Sequence, residues 1–197
     1  MAGVAALAGY ASAGTGRGMT WRVVVTGSEC TGKTTLALEI ARRLGAPCIA
    51  EPSRAYAEAR GGVLTAADVE PIARATIAAR QKAQSEGART IVFDTDLVST
   101  MVYAREYYGE CPHWIEEECR EQLADGYLLC APDIPWVADG VRDRPAASAR
   151  AEMHEAFART LQDLGARVVH ITGAGDVRTE HAMTAVRATK PPADSSS

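Results

Sequence analysis

Gly27-Ser28-Glu29-Cys30-Thr31-Gly32-Lys33-Thr34 spells a Walker A loop, and it follows the apolar run Trp21-Arg22-Val23-Val24-Val25. Phosphate chemistry dictates these residue types. A glycine-framed turn aims backbone N–H groups at phosphate oxygens, a lysine neutralises the β and γ phosphates, and a hydroxyl ligates magnesium. Lys33 and Thr34 take the last two roles; Gly27, Ser28, Glu29, Cys30, Thr31, Gly32 and Thr35 complete the expected ATP-binding set. Behind the loop, Leu36, Ala37, Ile40, Ala41 and Leu44 recur at helical spacing until Gly45, which is placed to cap the helix. Strand, loop and helix stand in the order that nucleoside triphosphate binding requires.

Outward from the loop, the same alternation continues. Pro47 to Ala50 reads as a short strand that puts Glu51 at its carboxyl end, and a helix runs from about Pro52 to Arg60. After Gly61-Gly62, Thr65-x-x-Asp68 is a capping-box pattern before a helix carrying Val69, Ile72, Ala73, Thr76 and Ile77. Thr90 to Phe93 is a strand that ends in Asp94-Thr95-Asp96. Asp96 is the expected N-cap of the helix beginning at Leu97. A helix over about His113–Ala124, a strand over Tyr127–Cys130, an irregular segment from Ala131 to Ala147, a helix ending at Gly165 and a strand from Arg167 to Ile171 follow, with Asp176 as the expected cap of the last helix. Five strands alternating with helices predict an α/β fold, a parallel sheet covered on both faces, with ligands bound beyond the carboxyl ends of the strands. The P-loop, Glu51, Asp94 and the segment 131–147 gather at that edge.

Composition narrows the function. The 197 residues carry a net charge of −4 and are 47% apolar, with no lysine–arginine block, so a small molecule is the expected partner and nucleic acid is not. Cys30, Cys48, Cys111, Cys119 and Cys130 form no C-x-x-C pair and read as reduced packing thiols of a cytoplasmic protein. No apolar run is long enough to span a membrane. Residues 1–18, almost all Ala, Gly and Ser, are expected to be disordered; the folded domain is expected over 19–189, with Met19 as the expected start, and 190–197 as a polar tail. No Asn-Lys-x-Asp motif for guanine is present.

A kinase acting on a hydroxyl needs a carboxylate to orient and deprotonate the acceptor near the γ-phosphate. Glu51 and Asp94 are the candidates. Glu51 beside Arg54 suits the base, and Asp94 suits a magnesium-linked role, though the two assignments are exchangeable and Glu51 also reads as a strand-end carboxylate paired with Arg54. Arg142 and Arg144 precede a helix and read either as lid cations that stabilise the transferring phosphoryl group or as members of a solvated ion-paired loop. Trp136, near Asp133, reads either as a wall for a flat cationic heterocycle or as a plug of the core.

The ordered set of the P-loop, Glu51-Pro-Ser-Arg-Ala-Tyr, Phe93-Asp-Thr-Asp and Asp133-Ile-Pro-Trp-Val-Ala-Asp-Gly-Val-Arg resembles the nicotinamide ribose kinase domain of NadR-type proteins over about residues 22–171. The resemblance implies a P-loop kinase fold and ATP- and magnesium-dependent phosphorylation of nicotinamide riboside on its ribose 5′-hydroxyl. The turn after Glu51 is also similar to that of deoxyribonucleoside kinases, where the acidic residue is the base. NadR-type proteins add an adenylyltransferase domain, and adenylyl transfer and repression are not expected of this sequence.

Overall fold

Strand β1, Trp21–Thr26, is rich in β-branched residues and buried on both faces, which is the pattern of a central parallel strand. In the computed structural model, which describes residues 20–134 and 147–190, it pairs in parallel with β3 (Thr90–Asp94) on one side and β4 (Gly126–Cys130) on the other. The two-residue β2 (Cys48–Ile49) extends the sheet beyond β3, and β5 (Val168–Ile171) extends it beyond β4. All pairs are parallel, in the order β2-β3-β1-β4-β5.

Period-two alternation divides the strand residues between two cores. Val24, Ile91, Phe93, Tyr127 and Leu129 pack against α3 (Val69–Ser85), α4 (Leu97–Tyr108), α5 (His113–Glu121) and α6 (Ala147–Asp163). Val23, Val25, Val92, Leu128 and Cys130 pack against α1 (Lys33–Leu44) and α7 (Gly175–Thr189). Each fully buried Val, Leu, Ile or Phe contributes about 1.5–3 kcal/mol, so the two cores carry the fold. Among the described residues no helix is long and apolar enough to cross a membrane.

Local signals behave as their chemistry dictates. Gly45 caps α1 in the left-handed region, and Thr65 and Asp68 form the reciprocal capping box, on a 3-10 turn (Ala66–Asp68) that leads into α3. Burial pushes the Cys48 and Cys111 thiols up to about 11 and raises Cys119 and Cys130 as well, which keeps them protonated and unreactive. Asp176 departs from expectation. The N-cap of α7 is Ala174, with no side-chain cap bond, and Asp176 lies in the first turn, where its charge complements the helix dipole. Helix α5 stops at Glu121, short of Ala124, and beyond its end the Arg22 guanidinium on β1 donates to the carbonyls of Gln122 and Leu123. Residues 1–19, 135–146 and 191–197 lie outside the described residues, and with them the expected tails, Met19, Trp136, Arg142 and Arg144.

Tyr127 ties the core to the loop that follows β3. Fully buried, it donates its hydroxyl to Asp96 Oδ2 at 2.7 Å and accepts the Ala124 N–H at 3.2 Å. Tyr127→Phe strands both groups in the interior and is expected to lower stability by about 1–3 kcal/mol in urea unfolding. A loss under about 0.5 kcal/mol would show that water or a shifted side chain replaces the hydroxyl.

Candidate active site

The loop after β1 turns on backbone shapes that few residues adopt. Gly27 has φ of 136°, and a Cβ there would sit 2.8 Å from the Cys130 carbonyl oxygen, so only glycine lets the loop lie directly on β4. Cys30 and Gly32 are left-handed, at φ of 55° and 68°, and curl the chain into a concavity of the kind in which backbone N–H groups collect around an anion. The Thr31 hydroxyl donates to the Ser28 carbonyl at 2.9 Å and closes the turn. Lys33 opens α1 and folds back, buried, with Nζ 3.5 Å from the same carbonyl. Thr35 is exposed on the helix surface.

Arg178 on α7 braces this loop from beneath. Its buried guanidinium donates to the Thr31 carbonyl at 2.8 Å, the Gly173 carbonyl at 2.7 Å and Asp133 Oδ1 at 3.0 Å. Asp133 also accepts the Gly173 N–H at 2.6 Å. The sequence placed Asp133 on the acceptor's face, but these bonds commit it to the underside of the phosphate loop, and it does not line the cavity described below. Sequence reasoning missed Arg178 altogether. A lone arginine on a helix carries no local signal that its partners lie far away in the chain.

The two carboxylates are brought to one edge. Asp94 ends β3 close to Thr34, and its Oδ1 is buried with no partner among the described residues. Burial above all, with the neighbouring Glu51 charge, raises the Asp94 pKa; Thr34, Lys33 and Arg54 oppose the shift. Thr95, next in sequence, is left-handed at φ of 62° and buried, and its N–H still bonds the Val25 carbonyl at 3.0 Å. The strain of a non-glycine residue in that region is held by the sheet. Asp96 then caps α4 by accepting the Val98 N–H at 3.1 Å. Glu51 occupies the N-cap position of α2 (Pro52–Ala59) and accepts the Ser53 hydroxyl at 2.7 Å. Arg54 reaches Glu58 at 3.3 Å.

A cavity of about 330 Å³, the size of a small-ligand site, opens between the P-loop, α2, α3 and α4. Lys33, Thr34, Glu51 and Arg54 line one end; Tyr103, Tyr107 and Tyr108 from α4 line another wall. The structure thus joins Lys33, Thr34, Glu51 and Arg54 around one space, with Asp94 behind Thr34. Tyr103, Tyr107 and Tyr108 read from the sequence either as possible pocket walls or as partly buried helix residues, and the structure puts all three on the cavity wall, Tyr103 and Tyr107 at the i, i+4 spacing of one helix face. Glu29 also lines the cavity, so its side chain faces α4 while its backbone belongs to the phosphate loop.

A parallel sheet whose central strand feeds a Walker A loop, with a second strand-end carboxylate against the loop's threonine, is the P-loop kinase fold. The chain belongs to the AAA_28 family of AAA domains, whose model matches residues 22–179. It is 25% identical over 153 residues to the trifunctional NAD biosynthesis/regulator protein NadR of Salmonella typhimurium, and equally to that of Escherichia coli. That match covers 76% of this chain and 37% of each relative, so the chain spans little more than a third of the curated relatives' length. Among solved structures it is similar to NadR protein in complex with NR, at 29% identity and a TM-score of 0.76 over 86% of this chain and 51% of that one. A second, NadR protein in complex with NAD and AMP-PNP, is 27% identical with a TM-score of 0.71, covering 86% and 49%. Thymidylate kinase from Ehrlichia chaffeensis shares the fold, at 13% identity and a TM-score of 0.61 over 84% of this chain and 97% of that one.

The raised Asp94 pKa has a definite sign for stability. A carboxylate whose folded value lies above its unfolded value leaves the native state holding more protons, so its contribution is fully favourable below the unfolded value of 3.8 and is lost as pH rises through the folded value. Asp94→Asn, which cannot ionise, is therefore expected to gain in thermal midpoint over the nucleotide- and metal-free wild type as pH rises, with the gain shrinking toward zero below 3.8. A pH-independent difference would remove the ionisation of Asp94 from the stability balance.

Proposed function

We propose that the chain is an ATP- and magnesium-dependent kinase, its domain spanning 19–189, that phosphorylates the ribose 5′-hydroxyl of nicotinamide riboside to give nicotinamide mononucleotide. The observation that carries the reading is one cavity lined by Lys33 and Thr34 of the phosphate loop and by the strand-end carboxylate of Glu51, with a tyrosine wall of its own for an acceptor. The likeness to NadR solved with NR supports the choice of acceptor, and the likeness to NadR solved with AMP-PNP supports ATP as donor.

Lys33 and the loop N–H groups bind and orient the β and γ phosphates, and Arg178 holds the loop's shape while they do so. Glu51 orients the acceptor hydroxyl and accepts its proton as the oxygen bonds to the γ-phosphorus and the bond to ADP breaks. Arg54, which lines the same cavity, contacts the acceptor or its new phosphate. The residues fit magnesium, because Asp94 keeps a buried oxygen without a partner next to the Thr34 hydroxyl. Thr34 and Asp94 would hold the ion, Asp94 directly or through water. Magnesium when bound supplies positive charge to the β and γ phosphate oxygens. On sequence grounds, Arg142 and Arg144 are assigned to the charge that spreads over the transferring group and Trp136 to the acceptor. A reaction drawing on ATP and giving an NAD precursor belongs in the cytoplasm.

The test is acceptor-dependent ADP release across nicotinamide riboside, common nucleosides and mononucleotides, with product mass determined and Lys33→Ala as control. Selective stimulation by nicotinamide riboside, abolished in the control, is the expected result; selective stimulation by another nucleoside would replace the acceptor, and none by any would leave an ATP-binding module. Glu51→Gln is expected to lower turnover by at least about 100-fold while ATP affinity stays within about twofold. Unchanged turnover would take Glu51 out of the chemistry.

A further inference from the structure

A carboxylate inside a phosphate-binding loop needs a physical reason, since it repels the anion that the loop exists to hold. Glu29 avoids that repulsion by direction. Its side chain leaves the loop toward α4, where the Tyr107 hydroxyl donates to Oε1 at 3.2 Å. The two rings stack with centroids 5.7 Å apart and planes 15° from parallel, and they form a wall of the cavity. Glu29 Oε2 is buried and has no partner among the described residues. A buried carboxylate oxygen without a partner is costly, and a cation nearby is what relieves it.

The charges around this wall share one sign. Burial above all pushes the Tyr103 hydroxyl well above the usual tyrosine range, and the Glu29 and Glu51 carboxylates push it the same way. The cavity's cations are Lys33, which a bound nucleotide occupies, and Arg54, which is ion-paired with Glu58 at 3.3 Å. Stacked tyrosine faces beside a half-satisfied carboxylate favour a flat cation over a neutral ring.

We propose that Glu29 is the residue by which the acceptor pocket selects a positively charged ring over a neutral ring of the same shape, an inference that rests on the kinase reading above. A bracing role alone would not need the charge. Glutamine has the same length and offers the same acceptor oxygen to the Tyr107 hydroxyl, so Glu29→Gln separates charge from bracing.

The probes are nicotinamide riboside, a cation, and its dihydro form, which is neutral and nearly the same size. Dissociation constants for both are measured on the full chain as wild type, Glu29→Gln and the charge-keeping Glu29→Asp, with thermal unfolding of each variant. The wild type is expected to prefer the cation by about tenfold or more, with the preference largely lost in Glu29→Gln and largely kept in Glu29→Asp. Equal affinity of the wild type for the two probes, or a preference that survives in Glu29→Gln, overturns the inference, and the first of these outcomes needs no variant to fold. Failure of the two proposals reads differently. Preferential binding of the cation without phosphoryl transfer defeats the kinase reading and leaves Glu29 in its role; transfer with a preference indifferent to Glu29→Gln does the reverse.

Discussion

The contact between Gly27 and the backbone of Cys130 is the constraint on which the site depends. It sets the phosphate loop directly on β4, at a separation that a single methyl group would violate. With that edge fixed, Arg178 locks the loop's far side through the Thr31 carbonyl, and the helix that begins at Lys33 can start only in one direction. Thr34 then falls beside Asp94 because β1 and β3 are parallel neighbours in a register that pairs Val25 with Asp94. The geometry of this edge is thus a consequence of strand pairing, with side-chain bonds refining it.

The same edge holds much of what is costly in the described structure. Thr95 is left-handed without being glycine, Asp94 and Glu29 each bury an oxygen without a partner, and Asp94 is raised by burial. Groups held ready for a ligand cannot satisfy one another in its absence, and such local conflict at an edge is what a ligand site produces. The parallel sheet beneath, buried on both faces, supplies the stability that tolerates them.

Much of this was legible in the sequence, for physical reasons that differ from residue to residue. The Walker A loop, the β-branched runs and the helical spacing behind the loop are local patterns, and they gave the alternation of elements and the strand ends that carry Glu51 and Asp94. The two-residue length of β2 was not legible, since its end is decided by pairing with β3. Asp176 is a good capping residue by type, yet it lies two residues past the N-cap, Ala174. Asp133 looked like a pocket carboxylate until its long-range partner Arg178 was in view. Tyr103, Tyr107 and the outward direction of Glu29 depend on how α4 crosses the P-loop, and sequence proximity says nothing of that crossing.

The central claim is that phosphate loop and tyrosine-walled cavity are the two halves of one reaction site. A crystal structure of the chain with nicotinamide riboside, magnesium and a non-hydrolysable ATP analogue tests it most directly. The account predicts the riboside's 5′ oxygen about 3–3.5 Å from the γ-phosphorus, in line with the bond to be broken, and the Glu51 carboxylate within hydrogen-bond reach of that oxygen. A riboside seated elsewhere, or one whose 5′ oxygen faces away from the γ-phosphate, would contradict it.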